Sequence, residues 1–350
     1  MKTHKDNEIP DFVDRIFSEA LKLKASDIYW LPMKDGYNIR FRINGLQQDR
    51  EKVSRDFGDQ CVNRIKVISG LLTYRTKIAQ DGVIRGIADF ADAELRVAAM
   101  PTINGERISI RVLYRSGINA CIDDLNLTAS VLSAIRKMLA PVSGLIILTG
   151  PTGCGKTTTI YAMIRDLLRN SQDPASIITV EDPVECEIDG ISQISLTRCG
   201  EDWGYPEALR AALRQDVKTL VIGEMRDSSV VKVALDAALT GHRVITTFHA
   251  GDIPSVYARM LHQGFEPFLV ASAITGVIAQ RLVQSGKGEG RIPVAAYLNP
   301  NDEWKDFIIS NPGLRDLRRK ITEYPDADVK QAAMKMAEAG LIHEKDVYLL

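Results

Sequence analysis

The 350-residue sequence predicts an α/β protein of two domains, a small α+β domain followed by a larger α/β domain. Hydrophobic residues in the first third alternate with a period near two after one amphipathic helix, which is typical of an antiparallel sheet. Farther along, short apolar runs alternate with amphipathic helices, which is typical of a mostly parallel sheet. A chain of this length is usually too long to fold around a single hydrophobic core. We therefore expect a first domain at residues 1–115 and a second at 116–350.

The first domain begins with a helix whose apolar residues, from Ile9 to Leu21, recur at three- and four-residue spacing. Alternation of apolar and polar residues then predicts strands at residues 37–43, 95–99 and 108–112. If Asn104-Gly105 forms a two-residue turn, Ala98 lies opposite Arg111. In that register Arg96 and Arg111 share one face of the ribbon, diagonally across from each other.

The second domain follows a linker predicted at residues 116–119 and a mostly helical segment at residues 125–139. Four apolar runs rich in β-branched residues are predicted to be strands of one sheet. They are Leu145–Thr149, Ile177–Val180, Leu220–Ile222 and Val244–Thr247. The apolar run Phe268–Ala279 is too short to span a bilayer and is predicted to be a buried helix.

Composition excludes several classes of protein. The apolar fraction is 45% and the charged fraction 25%, so the chain is neither disordered nor collagen-like. Its 44 Lys and Arg residues balance 45 Asp and Glu residues, so the bulk charge gives no support for a nucleic-acid partner, and we expect no direct contact with one. The five cysteines form no C-x-x-C pair, and the N-terminus lacks an apolar signal segment. We expect free thiols and a cytoplasmic chain.

The segment Gly150-Pro-Thr-Gly-Cys-Gly-Lys-Thr157 satisfies the Walker A pattern G-x-x-x-x-G-K-[ST] in full, between a predicted strand and a predicted helix. Glycines let backbone N–H groups turn towards phosphate oxygens, and the helix N-terminus adds positive potential. Lys156 is expected to reach the β- and γ-phosphates and the Thr157 hydroxyl to bind Mg²⁺. The sequence therefore predicts that the chain binds a nucleoside triphosphate and Mg²⁺. The predicted nucleotide-binding residues are Gly150, Thr152, Gly153, Cys154, Gly155, Lys156, Thr157 and Thr158.

Two other predicted strands end in carboxylates. Glu224 ends the run beginning at Leu220, where a Walker B carboxylate beside the Mg²⁺ is expected, and Glu181 ends the run beginning at Ile177. One carboxylate would hold the metal shell and the other would orient or deprotonate the attacking water, unless either is merely solvated. His249 ends a fourth strand, where it is either structural or a sensor of the γ-phosphate. His242 is more simply explained as packing a turn.

Together these segments resemble the secretion ATPase superfamily, the motors of type II secretion and of type IV pilus assembly and retraction. The resemblance rests on the Walker A segment followed by three further blocks and extends into the first domain. The blocks are Thr179–Glu185 (Asp box), Leu213–Asp216 with Gly223–Asp227 (Walker B), and Thr240–His242 with Thr246–His249 (His box). In the first domain the similar segments are Ala25–Ile28, Gln80–Gly82 and Pro101–Glu106.

The resemblance implies an N-terminal PAS-like domain, a RecA-like P-loop ATPase domain with ATP as its nucleotide, and a homohexamer. It implies that Glu181 is the catalytic glutamate, Glu224 the Walker B glutamate and His249 the His-box residue, with Arg96 and Arg111 as arginine fingers. It also implies an inner-membrane platform protein as partner and a location peripheral to the inner membrane.

The sequence also departs from the usual patterns of this superfamily. Cys154 replaces the usual Ser or Ala, Asp216-Val-Lys218 replaces Asp-Pro-Asp, and a four-cysteine zinc insert is absent. Three other functions stay open: the ATPase of a type IV secretion or conjugation system, a nucleotide-gated scaffold without turnover, and a helicase-like motor. Residues 314–320 form the only basic cluster, interpreted as a solvated helix face or a partner surface. The sequence does not distinguish extension, retraction, secretion and conjugation.

Overall fold

The computed structural model describes residues 8–43, 45–84, 93–114, 120–170, 173–198, 203–286, 288 and 290–348. The chain divides into two compact units, Met1–Gly117 and Ile118–Leu350. The predicted linker falls at residues 116–119, outside the described residues.

The described residues of the first unit form two helices on a six-stranded sheet. The helices are α1 (Glu8–Lys22) and α2 (Arg55–Ile68). The strands are β1 (Asp27–Met33), β2 (Gly36–Ile43), β3 (Leu46–Val53), β4 (Gln80–Ile84), β5 (Ala93–Thr102) and β6 (Gly105–Tyr114). Their order is β3-β2-β1-β6-β5-β4, and every pair is antiparallel. The alternation of apolar and polar residues thus arises because one face of the sheet is buried and the other is exposed to solvent.

The apolar stripe of α1 packs against the buried face of this sheet. Phe17 of α1 meets Trp30 of β1 edge to face, with 6.0 Å between ring centroids. A charged pair is buried in this unit: the Lys66 ammonium donates to Glu106 at 2.7 Å, and Lys66 is fully buried. Pairing of this kind is what a buried charge requires.

The register of the β5–β6 ribbon differs from the predicted one. Thr102 pairs with Gly105, so the two-residue turn is Ile103-Asn104, and Arg96 lies directly opposite Arg111 instead of diagonally. Gly105 is needed for close packing as well as for the bend, because its φ is +119° and a Cβ there would lie 2.9 Å from the Tyr37 hydroxyl. The two arginines do share one face, as predicted.

The second unit is built around a seven-stranded sheet. Its strands are β7 (Gly144–Thr149), β8 (Ile177–Glu181), β9 (Ser192–Ser195), β10 (Thr219–Met225), β11 (Arg243–Phe248), β12 (Ile274–Gln284) and β13 (Arg291–Leu298). Their order is β13-β12-β7-β11-β10-β8-β9, parallel except for the antiparallel edge strand β13. Each of the four predicted strands lies within one of these.

Helices cover both faces of this sheet. They are α3 (Ala129–Leu139), α4 (Lys156–Asn170), α5 (Tyr205–Ala212), α6 (Ser228–Leu239), α7 (Ile253–His262), α8 (Pro267–Ala273), α9 (Asp302–Ile309), α10 (Leu314–Lys320), α11 (Val329–Glu338) and α12 (Glu344–Val347). Two large apolar clusters fill the layers above and below the sheet. Every residue of β7 is buried, as expected for a central parallel strand.

The run Phe268–Ala279 is buried, but the helix predicted there is wrong for its second half. Helix α8 ends at Ala273 and β12 begins at Ile274, where it pairs in parallel with β7. A Cβ at Gly276 would lie 2.4 Å from the Met138 sulfur, so the strand packs closely on α3. Backbone pairing with β7 overrides the helical periodicity of the run. Among the described residues, no helix combines the length and apolarity needed to cross a membrane.

Candidate functional site

The Walker A loop connects β7 to α4 and has the backbone conformation that its glycines predict. Gly150, Gly153 and Gly155 have φ values of +145°, +76° and +87°, which side chains other than glycine rarely adopt. At Gly150 a Cβ would also lie 2.3 Å from the Gln280 carbonyl oxygen. The loop therefore brings backbone close to the phosphate-binding position in a way that no Cβ would permit.

Lys156 is the first residue of α4, and its side chain folds over the loop. The ammonium donates to the carbonyl oxygens of Gly150 and Pro151, each at 2.9 Å. Thr157 and Thr158 follow in the first turn of the helix, whose N–H groups have no intrahelical partner. A cation and a helix N-terminus thus meet at one place, which favours anion binding.

Gln280 on β12 holds the loop in place, a role that sequence reasoning missed. Its side-chain amide donates to the Cys154 carbonyl at 2.7 Å, and its carbonyl oxygen accepts from the Thr159 hydroxyl at 2.9 Å. Gln280 is buried, so both polar ends need these partners. A single amide inside the apolar run around Val277–Ala279 was the available signal.

Cys154 is buried under the loop, with its sulfur 3.9 Å from the Lys156 nitrogen. A cavity of about 430 Å³ opens beside the loop. It is lined by Pro151, Thr152, Gly153, Cys154, Arg281, Leu282, Val283, Gln284, Arg291 and Asp346. This volume is in the range of small-molecule sites.

Glu181, at the end of β8, is buried and surrounded by neutral hydrogen-bond donors. Its Oε2 accepts from the Tyr161 hydroxyl at 2.5 Å and its Oε1 from the Thr179 hydroxyl at 2.6 Å. The Gln193 amide lies 3.4 Å from Oε1. Burial raises the pKa of the Glu181 carboxyl, and the three hydrogen bonds partly oppose that rise. The group therefore binds a proton more readily than an ordinary glutamate.

Glu224, near the end of β10, has partners of another kind. One oxygen lies 3.1 Å from Nε2 of His249, and the other pairs with the guanidinium of Arg226. The side chain of Glu224 is 16% exposed and that of Arg226 63%. His249 and Glu224 are thus in contact, whereas the pairing with Arg226 was missed by sequence reasoning. The pairing raises the pKa of Arg226.

Tyr205 of α5 is close enough to both strand-end carboxylates for their charges to act on its hydroxyl. Burial raises the pKa of its hydroxyl most, and the charges of Glu224, Asp182 and Glu181 raise it further. Its oxygen would lie 2.9 Å from a Cβ at Gly223, which explains why the Walker B strand carries glycine there. The carboxyl ends of β8 and β10 therefore contribute to one site, as an open parallel sheet predicts.

Thr149, the last residue of β7, connects the Walker A loop to the segment that follows β11 and contains His249. Its hydroxyl oxygen lies 2.9 Å from the Phe248 carbonyl oxygen and 2.8 Å from that of Ala250, and it accepts from the Ala250 amide at 3.1 Å. By contrast, His242 packs its turn, with Nδ1 3.1 Å from the Ala237 carbonyl oxygen.

Arg96 and Arg111 lie in the first unit. Arg111 is 68% exposed, and its Nε lies 3.3 Å from the Asp27 carboxylate. Arg96 lies 3.7 Å from Glu94, and one of its terminal nitrogens has no hydrogen-bond partner among the described residues. In the second unit the predicted basic cluster is largely paired: Arg318 with Asp252, Arg319 with Asp316, and Lys320 with Glu303 and Glu323.

The cysteines, where described, are free thiols, as expected. These are Cys61, Cys121, Cys154 and Cys186, whereas Cys199 lies outside the described residues.

Two proteins similar to this chain are named as ATPases. The type II secretion system ATPase E of Vibrio cholerae is 35% identical over 285 residues, 81% of this chain and 56% of that protein. The type IV pilus assembly ATPase PilB of Myxococcus xanthus is 34% identical over 286 residues, 81% of this chain and 50% of that protein. The chain spans about half the length of the curated relatives it matches.

Solved structures have the same fold. The ATPase DotB of Legionella pneumophila superposes with a TM-score of 0.82 at 24% identity, covering 97% of this chain and 95% of that one. The pilus retraction motor PilT with bound ADP gives a TM-score of 0.73 at 25% identity, covering 95% of both chains.

The fold and the Walker A loop define an α/β protein of the P-loop class. The chain belongs to the family described as Type II/IV secretion system protein, whose sequence pattern matches residues 2–312.

Proposed function

We propose that this chain is an ATP-hydrolysing motor subunit of a type II secretion or type IV pilus machine. The observation that carries the proposal is that a complete Walker A loop and the carboxylates of Glu181 and Glu224 all lie at the carboxyl ends of parallel strands in the second unit's sheet. The ATPases E and PilB among the relatives support the motor role.

The nucleotide site proposed is the Walker A loop with the first turn of α4. Backbone N–H groups of residues 152–158 would face the phosphates, and Lys156 would exchange its two carbonyl partners for phosphate oxygens. The cavity beside the loop has room for the nucleoside. The glycines of the loop support this fit. A Cβ at Gly150 would lie 2.3 Å from the Gln280 carbonyl oxygen, and a Cβ at Gly155 would lie 3.0 Å from the Gln280 side-chain nitrogen.

Thr157 and Glu224 are the oxygen ligands proposed for Mg²⁺, a hard cation that usually takes only one or two protein oxygens in nucleotide sites. The ion would neutralise charge on the transferred phosphate. We assign Glu181 as the base that orients and deprotonates the attacking water, since its raised pKa favours proton uptake. His249 holds Glu224 and would report the state of the γ-phosphate through it.

The assembly proposed is a homohexamer in which residues 1–115 form a PAS-like domain and residues 116–350 the ATPase domain. Arg96 and Arg111, side by side on one face of the ribbon, are the proposed arginine fingers, because a pair of guanidiniums suits a triphosphate. An inner-membrane platform protein would receive the motion, with the ring on the cytoplasmic side of the inner membrane.

The test is steady-state phosphate release by the purified wild-type chain with MgATP, beside Glu224→Ala and Arg96→Ala. We expect turnover by the wild type, loss of at least about 100-fold in Glu224→Ala, and a similar loss in Arg96→Ala with the oligomer intact. Full activity of an oligomeric Arg96→Ala variant would remove the arginine-finger assignment. ATP binding by the wild type without any turnover would support a nucleotide-gated scaffold instead.

A further inference from the structure

We propose that Tyr161 is the positioning residue of Glu181: its hydroxyl fixes one carboxylate oxygen in place relative to the phosphate-binding end of α4. The inference rests on the proposed function, in which Glu181 is the base for the attacking water. Nothing in the Walker A, Asp-box, Walker B or His-box patterns assigns a role to this tyrosine.

The first support is the contact itself. The Tyr161 side chain is buried, and its hydroxyl donates to Glu181 Oε2 at 2.5 Å. The Thr179 hydroxyl holds the other oxygen at 2.6 Å. Two donors on different oxygens fix both the position and the rotation of the carboxylate. Each oxygen has a second lone pair, so the group is still able to accept a hydrogen bond from a water molecule.

The second support is the direction of the Tyr161 hydroxyl hydrogen. The hydroxyl oxygen accepts from the backbone N–H groups of Glu185 and Cys186, at 3.2 and 3.4 Å. A tyrosine hydroxyl has one hydrogen and two lone pairs. Because both amides are donors only, the hydrogen is left for Glu181. The Asp-box loop after Glu181 is thereby anchored to the same oxygen as the carboxylate.

The third support is the location of Tyr161 on α4. It follows Lys156 by five residues, a rise of about 7.5 Å along one rigid helix. The helix that begins at the phosphate-binding loop therefore also sets where Glu181 lies. A base must lie within hydrogen-bond reach of its water, so this distance matters for catalysis.

The groups around Glu181 determine what removal of the hydroxyl would do. The hydrogen bonds to Glu181 come from Tyr161, Thr179 and Gln193, all neutral. The titratable groups gathered at this edge of the sheet, besides Tyr161, are Asp182, Tyr205, Glu224 and Arg226. Burial raises the pKa of the Glu181 carboxyl and the hydrogen bonds lower it. Loss of one of these donors would therefore raise the pKa further, and the carboxyl would keep its proton to a higher pH.

The experiment measures kcat and KM for MgATP against pH in the wild type and in Tyr161→Phe, which keeps the buried ring and removes only the oxygen. We expect the acid limb of kcat to move to higher pH by about one unit, with kcat on that limb lower by about tenfold and KM within about twofold. The matched control is Tyr297→Phe, which removes a hydroxyl bonded to Asp326 at 3.1 Å and should leave the limb in place.

A second variant replaces Tyr161 alone with 3-fluorotyrosine, a stronger hydrogen-bond donor of nearly the same size. We expect its acid limb to move to lower pH, opposite to Tyr161→Phe. A merely structural role would not give opposite shifts in two variants that both retain the ring. Limbs unchanged in both variants would overturn the inference.

Glu181→Gln separates this inference from the function it rests on. If Glu181→Gln loses turnover while Tyr161→Phe has the wild-type limb, the positioning role fails and the base assignment stands. If Glu181→Gln turns over like the wild type, the base assignment itself fails. The infrared band of the protonated Glu181 carboxyl, identified by its loss in Glu181→Gln, gives the same pH shift without any turnover.

Discussion

Glu181 and Glu224 end neighbouring parallel strands of one sheet, yet their surroundings are opposite. Glu181 is buried and accepts hydrogen bonds from neutral groups, chiefly the hydroxyls of Tyr161 and Thr179. Glu224 is partly exposed and pairs with the guanidinium of Arg226 and the imidazole of His249.

This difference teaches which carboxylate suits which task. Burial among neutral donors favours a carboxylate that takes up a proton. A partly exposed carboxylate beside cationic side chains stays ionised and is suited to coordinating a metal ion. Strand position brings both glutamates to the site, but their neighbours from helices and adjacent strands separate their roles. Of the partners that make this difference, Thr179, Arg226 and His249 lie within the signature motifs, whereas Tyr161 lies outside them.

The largest effect is expected on kcat in Glu181→Gln and Glu224→Gln, and the Mg²⁺ requirement should distinguish the two variants. We expect both to lose at least about 100-fold in kcat, because each removes a carboxylate used in the transition state. Only Glu224→Gln should also need more Mg²⁺ for half-maximal activity. The measurement is turnover against Mg²⁺ concentration at saturating ATP. An unchanged Mg²⁺ requirement in Glu224→Gln would contradict the metal role of Glu224.

The same two variants should differ in how their stability depends on pH. The folded-state pKa of Glu181 is raised, so its contribution to stability is greatest at low pH and is lost as pH rises through that pKa. Gln has no proton to lose. Above the pKa of Glu181, the free energy of unfolding of Glu181→Gln should therefore rise relative to the wild type by about 1 kcal/mol for each unit of pKa shift. Thermal midpoints from pH 5 to 8 measure this gain.

Glu224→Gln loses ion pairing and should gain nothing in stability over the same pH range. Parallel pH curves for wild type and Glu181→Gln would show that burial of Glu181 has no energetic consequence.

A smaller effect is expected from Thr179→Val, which removes the other neutral donor to Glu181. The acid limb of kcat should move to higher pH by up to about one unit, because the hydrogen bond from Thr179 no longer lowers the pKa that burial raises. The matched control is Thr275→Val at the opposite end of the sheet, where the hydroxyl bonds the Leu145 carbonyl at 3.4 Å. The control should keep the wild-type limb, and equal shifts in both variants would point to a general loosening of the sheet.

The smallest effect is expected from Arg226→Ala. Its guanidinium is 63% exposed, and exposed ion pairs contribute about 0–1 kcal/mol to stability. We expect a change in the free energy of unfolding below about 0.5 kcal/mol and a loss of less than about tenfold in kcat. His249→Ala is the companion variant, since it removes the other partner of Glu224. A loss in Arg226→Ala as large as that in Glu224→Gln would make the arginine part of the catalytic machinery.

The sequence predicted the elements whose signals are local. The Walker A glycines require positive φ, and a buried parallel strand such as β7 reads as a continuous apolar run, so both could be found by pattern. Glu224 and His249 were placed at strand ends by the same logic, and their contact follows from the adjacency of β10 and β11.

The sequence did not predict features that depend on contacts distant in the chain. The start of β12 was assigned to a helix because its pairing with β7 involves residues about 130 positions away. The roles of Gln280 and Tyr161 were missed because their partners lie on other elements. The β5–β6 turn was displaced because Gly105 serves close packing against Tyr37, which the turn motif does not reveal.

The most direct test of the division between the two glutamates is the identity of bound nucleotide after a single turnover. Wild type and Glu181→Gln are mixed with a substoichiometric amount of MgATP, quenched with acid at increasing times, and assayed for ATP and ADP. If Glu181 is the base and Glu224 holds the metal, the wild type will contain ADP while Glu181→Gln binds as much nucleotide and retains it as ATP. ADP formation in Glu181→Gln at the wild-type rate would contradict that division.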